Sequence, residues 1–255
     1  MRLENKNTIV TGATGGIGFA TVSRFLEEGA NVMMVGRNKE KLIDAFEELG
    51  QPKKLSYFVA EATDEKAVKS SVDKTFETFG SVDVVIANAG TEGVVQSLVD
   101  YSVEDFNHTL TVNITGVWLY FKHSIPYMEK QGNGSIIAVA SGAGIVGFPG
   151  LCPYSASKHA VCGMVKTACL EYGDKGIRFN ALAPGPIDNR MMESLGTQSE
   201  PNDPAMFKEN VTNNIPSGRY GTNEEMANLA LFLGSNESSF CNGGVYLADG
   251  GFTAA

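Results

Sequence analysis

The amino-acid sequence predicts an α/β protein with a doubly wound parallel sheet, which covers residues 1–255 as a single domain. Short apolar runs alternate with longer amphipathic segments along the chain, as strands do with crossover helices. The run from Val82 to Ala87 is apolar on both faces after its start, which is typical of a parallel strand covered by helices on both sides. A glycine-rich turn follows the first apolar run. No repeat and no linker of different composition divides the chain.

The first half of the chain predicts four strands and three helices. Asn7–Thr11 is an apolar run that ends in glycines, and the helical segment after it begins near Ile17 and stops at Gly29, a residue suited to a helix C-terminus. The next elements are predicted at 32–35 (strand), 39–49 (helix), 55–60 (strand), 64–79 (helix) and 82–87 (strand).

The second half continues the alternation with longer helices. Its elements are predicted at 102–130 (helix), 135–140 (strand), 154–172 (helix), 176–183 (strand), 224–233 (helix) and 244–248 (strand). A stretch rich in Pro, Asn and Met lies between the last helix and the strand before it, and it is predicted to be a loop. Within it, about 186–216 is expected to form a lid over the substrate.

Composition limits the function classes. The net charge of −9 disfavours nucleic acid and anionic membranes as partners. The uncharged stretch between Lys130 and Lys158 is interrupted by glycines and prolines, so it predicts a buried strand and a loop rather than a membrane span. No Cys-x-x-Cys pair occurs and the histidines are scattered, so no metal site is expected. Unpaired cysteines and a charged N-terminal start predict a reducing, cytoplasmic location.

The turn from Gly12 to Gly18 lies between the first strand and the first helix, and it predicts dinucleotide binding. Glycines let the backbone turn tightly and approach a pyrophosphate, and the helix N-terminus supplies free N–H groups. A glycine-rich turn alone is weak evidence, but its place between strand and helix strengthens it.

The spacing of Gly12, Gly16 and Gly18 resembles that of the short-chain dehydrogenase/reductase family. The resemblance continues along nearly the whole chain, through Asn88-Ala89-Gly90, Asn113, Ser141, Tyr154 with Lys158, Pro184-Gly185 and Asp249-Gly250-Gly251. The chain departs from the family at Ala87, where relatives have Asn. The resemblance implies a Rossmann-like sheet of about seven strands in the order 3-2-1-4-5-6-7, and an oxidoreductase that interconverts a carbonyl and an alcohol.

Tyr154 and Lys158 are four residues apart on a predicted helix, so their side chains share a face. A nearby ammonium favours the phenolate, so Lys158 is expected to lower the pKa of Tyr154 from its usual value of about 10. Tyr154 is then the general acid and base. By resemblance, Lys158 also binds the nicotinamide ribose, Ser141 orients the substrate oxygen, and Asn113 holds a water in a proton relay.

The turn and the resemblance together predict a set of cofactor contacts: Gly12, Thr14, Gly15, Gly16, Ile17, Gly18, Arg37, Asn38, Glu61, Ala62, Asn88, Ala89, Gly90, Tyr154, Lys158, Pro184, Gly185 and Ile187. Gly36 stands at the family's acidic position after the second strand and Arg37 follows it, which predicts NADP(H). NAD(H) stays the alternative, because Gly15 replaces the basic residue of many NADP-using relatives and Glu61 replaces their Asp. In that case Arg37 is only a solvated residue at a helix start.

The substrate pocket is expected from the segments after Gly90 and Ser141 and from the stretch 186–216. Its apolar residues predict a lid or, alternatively, a helix core: Met191, Met192, Leu195, Met206 and Phe207. The leading hypothesis is an NADP(H)-dependent reductase of a small ketone, or the reverse oxidation of a secondary alcohol. The alternatives are an NAD-dependent alcohol dehydrogenase, a 3-oxoacyl-thioester reductase, which the net negative charge disfavours, and a non-catalytic nucleotide-binding protein. The family implies a homotetramer or homodimer.

Overall fold

The computed structural model describes residues 1–254, so Ala255, the last residue of the predicted domain, lies outside the described residues. Within residues 1–254, seven parallel strands form one sheet in the order β3-β2-β1-β4-β5-β6-β7, which confirms the predicted fold. The strands are β1 (Asn7–Thr11), β2 (Asn31–Gly36), β3 (Leu55–Val59), β4 (Val84–Ala87), β5 (Gly134–Val139), β6 (Ile177–Pro184) and β7 (Val245–Ala248).

Nine α-helices lie in residues 1–254: α1 (Gly16–Glu27), α2 (Lys39–Glu48), α3 (Glu65–Phe79), α4 (Val103–Leu110), α5 (Gly116–Gln131), α6 (Cys152–Tyr172), α7 (Arg190–Ser199), α8 (Pro204–Asn213) and α9 (Asn223–Gly234). Side chains of α1, α2 and α9 pack with one face of the sheet, and side chains of α3, α5 and α6 pack with the other. Each face therefore has its own apolar core, which explains why the central strands are apolar on both sides.

Local signals in the sequence determine where several helices begin and end. The side chain of Asp64 accepts hydrogen bonds from the backbone N–H groups of Lys66 and Ala67 at the start of α3. The same helix ends at Gly80, whose φ of 93° is left-handed. Thr222 and Glu225 form a capping box at the start of α9.

The predicted loop after β6 contains two helices, so that part of the prediction was wrong. Asn189 caps α7 by accepting a 3.0 Å hydrogen bond from the backbone N–H of Met191. Asp203 caps α8 in the same way, and Pro204 occupies its first turn, where the missing N–H costs nothing. Residues 201–204, Pro-Asn-Asp-Pro, thus connect α7 to α8 and start α8, whereas the sequence predicted a loop throughout this region.

The strand order reverses beside β1, which pairs with β2 on one side and β4 on the other. The helices that follow β1 and β4 leave on opposite faces, so a crevice opens at the carboxyl ends of these two strands. This crevice contains the candidate site. None of the helices within residues 1–254 has both the length and the hydropathy that crossing a membrane requires.

Candidate active site

Two adjoining cavities lie at the carboxyl ends of the strands. The first is a cleft of about 630 Å³, and among its lining residues are most of the predicted cofactor contacts: Gly12, Thr14, Gly15, Gly16, Ile17, Arg37, Asn38, Glu61, Ala62, Asn88, Ala89 and Gly90. The second, of about 260 Å³, includes the other predicted residues Ser141, Tyr154, Lys158, Pro184, Gly185 and Ile187. The cavities share Ile17, Asn88, Gly90, Asn189 and Met191, so they meet.

The glycine-rich turn forms the floor of the larger cleft. Gly12 has a φ of +60°, which favours glycine, and any side chain at Gly18 would collide with the carbonyl oxygen of Gly12. Gly18 therefore packs beneath the turn and does not line the cleft itself. Asn88 braces the turn by donating a 2.9 Å hydrogen bond to the carbonyl oxygen of Thr11. Helix α1 starts at Gly16 without a side-chain cap, so its first N–H groups suit an anionic pyrophosphate.

The far end of this cleft carries three polar or basic side chains. Arg37 is exposed, and its Nη1 lies 3.9 Å from Oε2 of Glu61. Asn38 caps α2, accepting a 2.8 Å hydrogen bond from the backbone N–H of Lys41. Lys41 also lines the cleft, although the sequence did not single it out. The sequence could have indicated it, because Lys41 lies in the first turn of the helix that starts beside Arg37. Two cations and one carboxylate thus surround the position predicted for the adenine ribose.

Asn113 lies in a π-helical turn, Thr111–Thr115, which joins α4 to α5 within the predicted helix 102–130. It is fully buried. Its Oδ1 accepts the backbone N–H of Thr91 at 2.8 Å, and its Nδ2 donates to the Thr91 carbonyl oxygen and to the hydroxyl of Ser157. Asn113 lines neither cavity, but it fixes the backbone that follows β4. π turns often occur at functional positions.

Gly90 brings Asn113 and Lys158 together. A Cβ atom at Gly90 would lie 3.2 Å from Oδ1 of Asn113 and 3.6 Å from Nζ of Lys158, so both polar atoms are near neighbours of this one glycine. The backbone of the Asn-Ala-Gly motif therefore passes close to two of the predicted catalytic side chains. This close approach explains why a small residue is needed at Gly90.

Lys158 and Tyr154 are buried side by side on α6. Nζ of Lys158 donates a 2.8 Å hydrogen bond to the carbonyl oxygen of Val139 and lies 5.6 Å from the centroid of the Tyr154 ring. Burial lowers the pKa of Lys158 to about 8, because desolvation disfavours the ammonium. Burial also raises the pKa of Tyr154, and the hydroxyl of Ser141 partly opposes this rise. The pKa of Tyr154 was predicted to lie below its usual value and instead lies above it, because burial dominates.

Ser141 follows β5 and faces the same cavity as Tyr154. Its hydroxyl accepts a 3.1 Å hydrogen bond from the backbone N–H of Ala143, which starts a short 3₁₀ turn, Gly142–Gly144. The bond fixes the side chain at the cavity wall. The hydroxyl of Tyr154 also contacts the sulfur of Met191, 3.9 Å away, so the catalytic candidates lie directly under α7.

The smaller cavity has mostly apolar walls. Among the predicted lid residues, Met191, Met192, Leu195 and Phe207 line it, whereas Met206 does not. Phe148 and Phe252 complete the wall as a stacked pair, with ring centroids 5.6 Å apart and an interplanar angle of 8°. The sequence did not indicate this pair, because the two rings come from loops 104 positions apart and meet only through tertiary packing. Of the five predicted residues only Leu195 is buried, which disfavours the alternative of a helix core, and the lid stays a prediction.

The loop after β6 enters this cavity between Pro184 and Ile187. A Cβ atom at Gly185 would lie 2.6 Å from the Cα atom of Asp249, so this position accommodates only glycine without a shift. Asp249 in turn accepts hydrogen bonds from the backbone N–H groups of Gly251 and Thr253. The Asp-Gly-Gly motif therefore organises the turn that carries Phe252 to the cavity.

Glu92 is a site residue that sequence reasoning missed. It is a buried carboxylate at the edge of the larger cleft, and it forms a two-pronged ion pair with Arg190, at 2.9 and 3.0 Å. Burial alone would raise the pKa of Glu92, but hydrogen bonds from Arg190 and Ser194 outweigh it and the pKa is lowered. Glu92 thus stays ionised at neutral pH. No pattern around Glu92 signals this pairing, since Arg190 is 98 residues away.

Residues 1–254 contain no group of three or more His, Cys, Asp or Glu side chains placed to bind a metal ion. The chemistry available at the junction of the cavities is that of a buried phenol, a buried amine and a fixed hydroxyl. These groups suit proton transfer to and from an oxygen atom.

Comparisons with known proteins agree along the whole chain. The family model described as "Enoyl-(Acyl carrier protein) reductase" matches residues 12–253. The 3-oxoacyl-[acyl-carrier-protein] reductase FabG of Thermotoga maritima is 42% identical over 253 residues, which cover 98% of this chain and 99% of that protein. Glucose 1-dehydrogenase of Gluconobacter oxydans is 37% identical, over 99% of this chain and 93% of that enzyme.

A solved structure adds a match in three dimensions. Levodione reductase of Leifsonia aquatica is 34% identical over 100% of this chain and 96% of that protein. The crystal structure of a levodione reductase superimposes with a TM-score of 0.97, at 34% identity, and covers 100% of both chains.

Proposed function

We propose that this chain, which belongs to the short-chain dehydrogenase/reductase family, reduces an apolar ketone with NADPH. Members of this family are oxidoreductases that act on alcohol and carbonyl groups with a nicotinamide cofactor. The reverse reaction oxidises the corresponding secondary alcohol. The observation that carries the proposal is the meeting of Ser141, Tyr154 and Lys158 in an apolar cavity beside the larger cleft.

The glycine-rich turn and the uncapped start of α1 fit the pyrophosphate of a dinucleotide. Arg37 would then be placed to bind its adenine ribose, and Gly90 and Tyr154, where the two cavities meet, would hold its nicotinamide end. When bound, this cofactor supplies or accepts the hydride. The protein's contribution is position, a dry environment and control of protons.

Tyr154 is the proton donor in our proposal. Because burial raises its pKa, the phenol is protonated at neutral pH and can donate to the carbonyl oxygen as negative charge develops there. Ser141 hydrogen-bonds the same oxygen and orients it. Lys158 holds a positive charge next to the phenol, which stabilises the phenolate left behind. In oxidation, the same phenolate oxygen takes the proton of the alcohol.

Arg37 and Lys41 support the NADP(H) preference. Both line the end of the cleft, and a 2′-phosphate there would meet two cations. Glu61 lies 3.9 Å from Arg37 and supports the alternative, NAD(H), because a carboxylate repels a phosphate but accepts a ribose hydroxyl.

The apolar cavity supports a small apolar ketone. A 3-oxoacyl thioester is a second candidate, favoured by the 42% identity to a 3-oxoacyl-[acyl-carrier-protein] reductase. The net charge of −9 opposes it, since an acidic carrier protein would be repelled. We also propose that residues 186–216 act as a lid over the substrate and that the enzyme is a homodimer or homotetramer. Its free cysteines suit a reducing compartment, so we propose a cytoplasmic location.

A spectroscopic screen tests the function. Purified enzyme is mixed with NADPH or NADH and with small cyclic and aromatic ketones, a 3-oxoacyl thioester, or the matching alcohols and oxidised cofactors. We expect turnover of a ketone with NADPH, and no measurable turnover of the same pair by the Tyr154→Phe variant, which keeps the ring and loses the proton donor.

Binding of NADPH by Tyr154→Phe, followed by the cofactor's fluorescence, is the control for correct folding. Wild-type turnover by Tyr154→Phe would remove the phenol from the mechanism. Faster turnover of the thioester than of every ketone would replace the proposed substrate class with the second candidate.

A further inference from the structure

One face of α7 carries three polar side chains at intervals of four residues, Arg190, Ser194 and Gln198. All three face the segment that follows β4, residues 92–95. We name these three side chains and residues 92–95 the polar seam. The adjacent face of α7 contributes Met191, Met192 and Leu195 to the apolar cavity, so the seam and the cavity share one helix.

The seam is held at both ends of α7. Near the start of the helix, Arg190 makes its two-pronged pair with Glu92. Near its end, Oε1 of Gln198 accepts a 3.0 Å hydrogen bond from the backbone N–H of Val95, and Nε2 donates to the carbonyl oxygen of Gly93 at 3.4 Å. Nε2 of Gln198 also lies 3.2 Å from the hydroxyl of Ser194. The helix is thus attached along its length to one short segment.

The segment itself is fixed to the body of the protein. Asn113 binds both the N–H and the carbonyl oxygen of Thr91, at its start. The hydroxyl of Tyr101 lies 2.6 Å from the carbonyl oxygen of Val94. Because Thr91 and Val94 are hydrogen-bonded to side chains outside the segment, the seam attaches α7 to a fixed part of the protein.

The ion pair is asymmetric. The side chain of Glu92 is 7% exposed, whereas that of Arg190 is 69% exposed. The carboxylate is therefore the fixed partner. The guanidinium is already largely in water, but its departure would leave a buried carboxylate without its cation, which favours the closed pair. Next to Arg190 in the chain, Met191 places its sulfur against the Tyr154 hydroxyl. Release of Arg190 would thus free the residue that covers the phenol.

We propose that Glu92 is a positioning residue for the reaction: through the polar seam it holds α7 closed over the apolar cavity and sets the affinity for the carbonyl substrate. The proposal rests on the proposed function, because it gives the cavity to the substrate. Glu92 acts through Arg190 and α7 and takes no part in the proton transfer. Opening of the seam is the route by which substrate enters and product leaves.

Steady-state kinetics test the proposal with Glu92→Gln and Gln198→Ala. Glu92→Gln removes the charge that pairs with Arg190, so we expect KM for the carbonyl substrate to rise about tenfold or more. We expect kcat to change less than KM. Gln198→Ala should show a smaller rise in KM.

Glu237→Gln is the matched control, because Glu237 also forms a two-pronged pair with an arginine, Arg2, at 2.8 and 2.6 Å, and neither residue lines the two cavities. Its KM should equal that of the wild type. An unchanged KM in both seam variants overturns the proposal, as does an equal rise in the control.

Hydrogen exchange gives a readout that needs no turnover. We expect the backbone amides of α7 to exchange about tenfold faster in Glu92→Gln, with the amides of α6 and α9 unchanged. Equal acceleration in all helices would mean a general loss of stability and would overturn the proposal. If Glu92→Gln fails to fold, Gln198→Ala decides by the same measurement. If the wild type turns over no carbonyl substrate, the proposed function is contradicted. The polar seam is still tested in that case, because hydrogen exchange in α7 needs no substrate.

Discussion

Tyr154 and Lys158 show what residue-scale reasoning captures and what it omits. Helical spacing correctly predicts that the two side chains lie together, because residues four apart share a face. The direction of the Tyr154 pKa depends on burial in the assembled cavity, which spacing does not report. The same limit explains why Glu92 was missed: its charge is held by Arg190, far away in the chain.

The lowered pKa of Lys158 leads to a prediction about how kcat/KM depends on pH. Its pKa is lowered to about 8, so the amine loses its proton as the pH rises through that value. We expect kcat/KM for carbonyl reduction to fall above about pH 8, because the charge that stabilises the Tyr154 phenolate disappears. The measurement is a pH profile from pH 6 to 10 for the wild type and for Lys158→Arg. A guanidinium keeps its charge, so this decline should move to higher pH in the variant, and a decline that stays in place would contradict the assignment.

The same shift affects stability. An unfolded lysine titrates near its ordinary pKa of about 10.4, so the unfolded chain binds more protons than the folded one between about pH 8 and 10.4. The free energy of unfolding contributed by Lys158 therefore rises with pH through this window.

The position of Arg37 in the larger cleft leads to a prediction about the choice between NADPH and NADH. We expect Arg37→Ala to raise the dissociation constant of NADPH about tenfold and to change that of NADH little, because only the 2′-phosphate loses a charged hydrogen bond. Fluorescence titration with each cofactor measures both constants. Lys39→Ala is the control, since Lys39 is exposed nearby but does not line the cleft. An equal loss for both cofactors would assign Arg37 to adenine contact only.

At the scale of elements, regular helices and strands were predictable because their apolar periodicity is local. The elements that differ from prediction are governed by short polar signals. Helices α7 and α8 are capped by Asn189 and Asp203, which were predicted to lie in a loop. The π turn that carries Asn113 has no sequence pattern of its own, and only the contacts of Asn113 with Thr91 reveal its purpose.

The join between the glycine turn and α1 predicts a stability effect. We expect Gly18→Ala to lower the free energy of unfolding by about 1–3 kcal/mol, because the added methyl group would collide with the carbonyl oxygen of Gly12. Gly15→Ala is the control in the same turn, since its Cβ would lie an ordinary 3.4 Å from that oxygen. Urea unfolding measures both. Equal stability of the two variants would mean that the turn moves aside freely.

At the scale of the whole molecule, the strand order was predictable from the family resemblance, whereas assembly depends on surfaces. Helices α5 and α6 border a shallow groove in which Trp118 is 45% exposed, and Leu170 on α6 is 87% exposed. We expect this face to join two copies around a two-fold axis.

Trp118→Glu tests that surface, because a charge buried without a partner between two copies is costly. Light scattering during size-exclusion chromatography should give a dimer or tetramer for the wild type and a smaller mass for Trp118→Glu. Leu98→Glu places the same charge at a residue that is 71% exposed and lies outside both helices, and its mass should equal that of the wild type. A monomeric wild type, or an unchanged mass for Trp118→Glu, contradicts the prediction.

The two cavities come from different parts of the chain. Residues before Tyr120 form most of the larger cleft, and residues after Val139 form most of the smaller one. On the proposed assignment of the smaller cavity to the substrate, substitutions in the later part would change which substrate is accepted and leave the proposed cofactor cleft unchanged. Relatives named for a levodione, a glucose and a 3-oxoacyl thioester, each 34–42% identical to this chain, are what such a division of labour would produce over evolution.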